Sequence, residues 1–213
     1  MKMPLLTILA LLLWAGYPAA RPQVVKPVPA DKEQSLFDGQ SLKGWKATSF
    51  GGEGRVYVEG GRLILEMGNN LTGITWDGGE LPLMDYEISL EAMKVDGNDF
   101  FCGLTFPVAD SSCSLIVGGW AGSVVGLSSL DGLDASENDT TRHMRFEQGR
   151  WYGIRVRISP KKIEAWIDND KVVDADTAGR RVGIRPEMEP SEPLGIATWI
   201  TTAALRKIEI RKQ

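Results

Sequence analysis

The chain reads as all-β, with two antiparallel sheets packed face to face as a sandwich. Three observations predict this. Apolar and polar residues alternate at period two in several segments, few stretches carry a 3.6-residue apolar period, and Gly-rich turns punctuate the β-rich runs. The 24 glycines suit such a fold, because tight turns and bulges use positive φ or a close backbone approach.

From the N-terminus, residues 1–20 read as an export signal: Lys2 supplies a positive start, Leu5 through Trp14 an apolar run, and Tyr17-Pro18-Ala19-Ala20 a small-residue cleavage region. The apolar run falls well short of the roughly twenty residues of a membrane-spanning helix. An exported product is expected, periplasmic or extracellular and free of the membrane once cleaved. Residues 21–34, with Pro22, Pro27 and Pro29 and no apolar period, read as an extended linker. Residues 35–213 are then the folded domain, a length that suits one core.

Within that domain, Arg55-Val-Tyr-Val58 and Arg62-Leu-Ile-Leu-Glu66 flank Glu59-Gly60-Gly61, a hairpin signature. Tyr86, Ile88, Leu90 and Ala92 alternate with charged or polar neighbours, as do Ile154, Val156 and Ile158, and then Ile208 and Ile210. Those strands have one dry face and one wet face. Four further runs are more continuously apolar: 100–106, 115–117, 124–127 and 194–200. Such strands are covered on both faces or line an uncharged groove. No repeat of blade or solenoid length is evident, which disfavours a propeller or β-helix.

A net charge of −4 and a pI near 5.2, without a Lys/Arg cluster, disfavour a nucleic-acid partner and favour a neutral ligand. The two cysteines, Cys102 and Cys113, flank a turn expected at Pro107 to Ser112. A disulfide across one hairpin is the expectation, with two buried thiols as the alternative.

Candidate site residues fall in two groups. The loop from Asp131 to Arg145 concentrates charge between two apolar strand regions and holds the only His of the chain, His143. It reads as a solvated closing loop, as a ligand or catalytic site, or as a calcium site, with Asp131, Asp134, Glu137 and Asp139 as the oxygen donors. The spacing is not that of an EF-hand. The second group is aromatic. Trp76, Trp120, Trp166 and Trp199 lie at strands or strand ends, where an indole is either core or a platform for the CH face of a sugar ring. Trp120 follows Gly118-Gly119, which permits close approach to the backbone, and Trp166 shares an expected wet face with Glu164. Multi-histidine metal centres, phosphate loops and dinucleotide fingerprints are excluded by the residue inventory.

Four segments together resemble the 3-keto-disaccharide hydrolase domain family: Ser35-Leu-Phe-Asp-Gly-Gln-Ser-Leu-Lys-Gly-Trp45; Val56 to Leu63 with Asp85 to Leu90; Gly149 to Val156 with Lys162 to Asp168; and Leu194 to Ala197 with Leu205 to Ile210. The resemblance implies a jelly roll of the concanavalin A-like lectin/glucanase type and a carbohydrate partner, an oxidised disaccharide or a glycan. It implies cleavage of 3-keto-glycosides, or glycan binding without turnover. Many members carry an Arg and a Glu-x-Gln strand where this chain has Phe106-Pro107 and Ser114-Leu-Ile-Val-Gly118. For cleavage, a base must take the C2 proton acidified by the ketone, and a donor must hold the enolate oxygen. His143 is the expected base, Glu137 or Asp134 its replacement or the partner of the leaving group, and Arg142 or Arg145 the oxyanion donor.

Overall fold

The computed structural model describes residues 33–213. The export signal and most of the proposed linker lie outside them. The described chain forms fifteen strands in two antiparallel sheets. The first sheet runs β13 (Asp170–Asp176), β12 (Lys162–Ile167), β11 (Trp151–Ser159), β6 (Tyr86–Gly97), β15 (Thr201–Lys212), β4 (Arg62–Leu65) and β3 (Val56–Glu59), with β1 (Glu33–Ser35) also paired to β15. The second runs β10 (Arg142–His143), β9 (Val124–Ser128), β8 (Ser111–Gly118), β7 (Cys102–Val108), β14 (Gly195–Trp199), β5 (Leu71–Trp76) and β2 (Trp45–Ala47). Strand β1 takes in Glu33 and Gln34, so pairing begins two positions before the expected domain start at Ser35.

The anticipated hairpin is β3–β4. Glu59 pairs with Arg62, and Gly60 and Gly61 both have positive φ, the backbone that a two-residue connection demands. Strands β11 and β12 alternate strictly, with every second side chain buried. Strands β7 and β9 are buried at every position, matching the continuous apolar runs. Between the sheets lies the core, from Leu63 and Leu65 through Ile88, Leu104, Phe106, Leu115 and Leu127 to Val156 and Leu205. Phe101, Phe146 and Tyr152 form an aromatic trio with centroids 5.1 to 5.8 Å apart. Each such contact adds about 0.5–1.5 kcal/mol beyond burial.

The disulfide expectation is corrected. Cys102 and Cys113 are buried free thiols. The β7–β8 hairpin turns at Ala109-Asp110, so Cys102 lies opposite Val117 and Cys113 opposite Phe106. Four residues of strand, about 13 Å at the rise of an extended chain, separate the two positions, and a disulfide needs Cα atoms within about 7 Å. Burial pushes both thiols up to about 12.

Candidate functional site

The second sheet carries a small apolar cluster on its outer face, away from the main core: Leu71, Phe100, Ile116, Val124, Ala135, Met188 and Ala197, with Trp199 packed against them. Two segments cover this face, the 3₁₀ helix Pro186–Ser191 and the loop between β9 and β10. They sit directly on glycines. A Cβ at Gly195 would lie 2.6 Å from the Ser191 carbonyl oxygen, one at Gly126 2.9 Å from that of Ala135, and one at Gly103 3.4 Å from the Met188 methyl. Missing side chains on the sheet therefore admit the cover. Asn138 fastens the loop: its amide donates to the carbonyls of Leu127 and Asp134 at 2.7 Å, and its oxygen accepts from Thr140.

At one end the cover stops, leaving a pocket of about 200 Å³. Leu71, Ile116, Phe100 and Met188 line it with Trp120 and Trp199; Asp99, Arg185 and Glu187 are its charged members. Trp120 is 39% exposed although it is a large aromatic. It stands on a left-handed turn, Gly118 to Gly122, in which Trp120 (φ 49°, ψ 68°) and Ala121 (φ 64°, ψ 32°) occupy backbone space that glycine favours. Each such residue costs about 1–2 kcal/mol, and backbone strain of this kind concentrates at functional sites.

Arg185 and Glu187 also line a second, polar cavity of about 410 Å³, shared with Asp134, Glu137 and Arg181. The Arg185 guanidinium donates to Glu187 at 2.6 Å and to Asp134 at 2.7 Å. One ion-paired arginine thus stands between an aromatic pocket and a polar one.

Of the residues singled out from the sequence, Trp120 lines the first cavity, and Asp134 and Glu137 line the second. Trp199, noted among the tryptophans, joins Trp120. Arg142 and His143 form the exposed edge strand β10, and Arg145 is exposed just beyond it. Arg142 reaches the Val172 carbonyl of the other sheet, and none of the three lines either cavity. Asp99, Arg185 and Glu187 were missed. They stand in connections without period, where sequence offers no signal of convergence.

The other aromatics lie elsewhere. Trp166 and Glu164 share the outer face of the first sheet as expected, but the Arg155 guanidinium stacks on the Trp166 ring at 3.8 Å, and Glu164 accepts from Lys171. Trp76 packs edge-on against Trp45 at 5.2 Å and donates to the Gly79 carbonyl, so it serves the sheet edge.

Of the acidic residues expected as calcium donors, Asp131, Asp134 and Asp139 are engaged by arginine. Arg180 binds Asp131 and both oxygens of Asp139, while Arg185 takes Asp134. The Arg181 N–H first, and then the Arg180 guanidinium, hold Asp131 below the usual carboxylate range. Among the described residues no three Asp, Glu, His or Cys side chains converge as metal ligands.

Solved structures share the fold. The carbohydrate-binding module CBM66 of Bacillus subtilis is 14% identical with a TM-score of 0.54, covering 80% of this chain and 96% of that one. The laminarinase of Flavobacterium sp. UMI-01 is 13% identical with a TM-score of 0.54, covering 85% and 99%. A Crh5 transglycosylase in complex with NAG is 12% identical with a TM-score of 0.58, covering 86% and 85%. No curated protein sequence matches. A family model matches residues 32–211, almost the entire described fold, and the chain therefore belongs to the 3-keto-alpha-glucoside-1,2-lyase-like domain family.

Proposed function

We propose that the chain is a carbohydrate-active domain whose sugar site is the Trp120–Trp199 pocket. The observation that carries this reading is the pocket itself: two indoles and a phenyl ring at an opening in the otherwise covered outer face, with an Arg–carboxylate pair alongside. Sugar rings offer flat CH faces to indole and hydroxyls to ion-paired groups. At about 200 Å³ the space is below the roughly 300–1,000 Å³ of drug-sized sites, which suits one ring. The similar folds that hold NAG and, in domain 4 of the Geobacillus stearothermophilus arabinanase AbnA, arabinotriose support a sugar partner.

Membership of the family supports 3-keto-glycosides as the substrate class. In this pocket Glu187 is the base and Arg185 the donor. Glu187 takes the C2 proton; the C–H electron pair becomes the enolate, held by Arg185, and then the C1–C2 double bond as the C1–O bond breaks. The departing oxygen receives the proton from Glu187, so no oxidant or reductant is needed. This assigns to Glu187 the role expected of His143 from the family resemblance. A second reading, glycan binding without turnover, is favoured by the engagement of both acids: Glu187 is bound to Arg185, and both oxygens of Asp99 accept backbone N–H groups.

The test is release of sugar from 3-ketosucrose and from sucrose. Turnover of the keto form alone, reduced at least about 100-fold in Glu187→Gln with KM within about tenfold, supports elimination. Saturable binding lost in Trp120→Ala, with no product from either compound, supports the binding module. Turnover or binding unchanged in Trp120→Ala would overturn the assignment of the pocket.

A further inference from the structure

We infer that Asp99 is a positioning residue for Trp120, a carboxylate latch that holds the strained turn in the form that presents the indole to the pocket; this rests on reading that pocket as the sugar site. Asp99 lies in the connection between β6 and β7, and Trp120 follows β8. The carboxylate spans the gap, one oxygen accepting the Phe100 N–H at 2.8 Å and the other the Ala121 N–H at 3.1 Å. Its own backbone is anchored: the Asp99 N–H donates to the Thr201 hydroxyl, which donates to the Asp99 carbonyl, both at 3.1 Å, and Thr201 is fully buried.

A left-handed backbone at Trp120 and Ala121 takes the Ala121 N–H out of any strand ladder and turns it toward the Asp99 carboxylate, its partner on the protein. The carboxylate supplies a charge-assisted acceptor at the residue that follows the platform. The surroundings are fitted to the same geometry. A Cβ at Gly122 would lie 3.0 Å from the Asn98 carbonyl, and one at Gly118 3.2 Å from the Phe101 ring. A five-residue turn carrying an exposed tryptophan would otherwise relax to a right-handed or extended form and carry the indole away. The strain at Trp120 is thus maintained from outside the turn.

The experiment follows Trp120 with and without sugar. Acrylamide quenching and near-UV circular dichroism are measured for the full chain, for Asp99→Ala and for Asp99→Asn, each with and without Trp120→Phe, so that the difference reports Trp120 alone. Binding of 3-ketosucrose and sucrose is measured in parallel. Loss of the hydrogen bond predicts a quenching constant for Trp120 raised about twofold and sugar affinity lowered about tenfold in Asp99→Ala. Asp99→Asn, with one acceptor oxygen left, lies between. Adding Ala121→Gly to Asp99→Ala restores part of the affinity, because glycine occupies the left-handed turn without strain. Unchanged Trp120 quenching and dichroism in Asp99→Ala overturn the latch whether or not sugar binds. Altered quenching in a chain whose unsubstituted form binds neither sugar leaves the latch standing and overturns the sugar site instead.

Discussion

The two sheets solve the problem of their outer faces in opposite ways. The first sheet leaves its face to water and covers it with charge: Glu87, its side chain 8% exposed, accepts from Arg155, Arg157 and Arg211, and Glu91 accepts from Arg206 and Lys207. Arginines stack on Trp166 and Trp151, so the large rings there are capped by cations. The second sheet mixes glycine, alanine and small hydroxyl residues with Leu71, Ile116 and Val124 on its outer face, and the chain itself lies over them. An uncovered gap in such a cover is a pocket, whereas a charged ladder in water has none. In this domain the Trp120–Trp199 pocket opens on the covered sheet.

Substitutions that press on one face and spare the other test that contrast. The largest effect is expected at Gly195→Ala, whose methyl would lie 2.6 to 2.9 Å from the backbone oxygens of Ser191 and Ile74; overpacking against backbone should destabilise by about 2–3 kcal/mol in urea denaturation. Ser89→Thr on the first sheet's outer face, by comparison, should stay within about 0.5 kcal/mol. If the two substitutions matched, the cover would not be packed on the sheet.

A smaller effect should follow Glu87→Gln. Three arginines lose their shared anion, yet each is a third or more exposed and can turn to solvent, so about 1–2 kcal/mol is expected, with the loss shrinking in molar salt. A salt-independent loss would mean that Glu87 acts through packing instead.

The smallest is Glu209→Gln on the same face. Burial first, and then the neighbouring Glu33 carboxylate, raise the Glu209 pKa above the usual carboxylate range. A carboxyl raised in the folded state contributes stability that is complete at acid pH and lost as pH rises through the raised value. Glu209→Gln should therefore stabilise by about a few tenths of a kcal/mol at pH 7, discounted for solvent screening, and not at all near pH 4. A gain that persists into acid would assign the effect to something other than charge.

How much of this was legible in the chain follows the same division. Alternation at Tyr86, Ile88, Leu90 and Ala92, or at Ile154, Val156 and Ile158, marks a strand and its wet face directly, and all of these side chains are buried. The continuous runs told of double burial without saying what does the burying, because a 3₁₀ helix of Pro-Glu-Met-Glu-Pro-Ser has no apolar period. The acidic loop was legible as a cluster but its arginine partners were not, since Arg180 and Arg185 lie 41 to 51 residues further along the chain. Trp120 was singled out for its two preceding glycines, and Gly118 is indeed the first left-handed residue of its turn. The pocket draws on segments near residues 71, 100, 120, 186 and 199, a convergence created by strand order and by nothing local.

The two thiols of the β7–β8 hairpin have a consequence beyond their missing bond. Thiolate is the form that oxidants, alkylating reagents and soft metals attack, and neither thiol reaches it near neutral pH or meets solvent. In the folded domain both thiols are therefore closed to such reagents, and labelling of either one would report that the β7–β8 hairpin has opened.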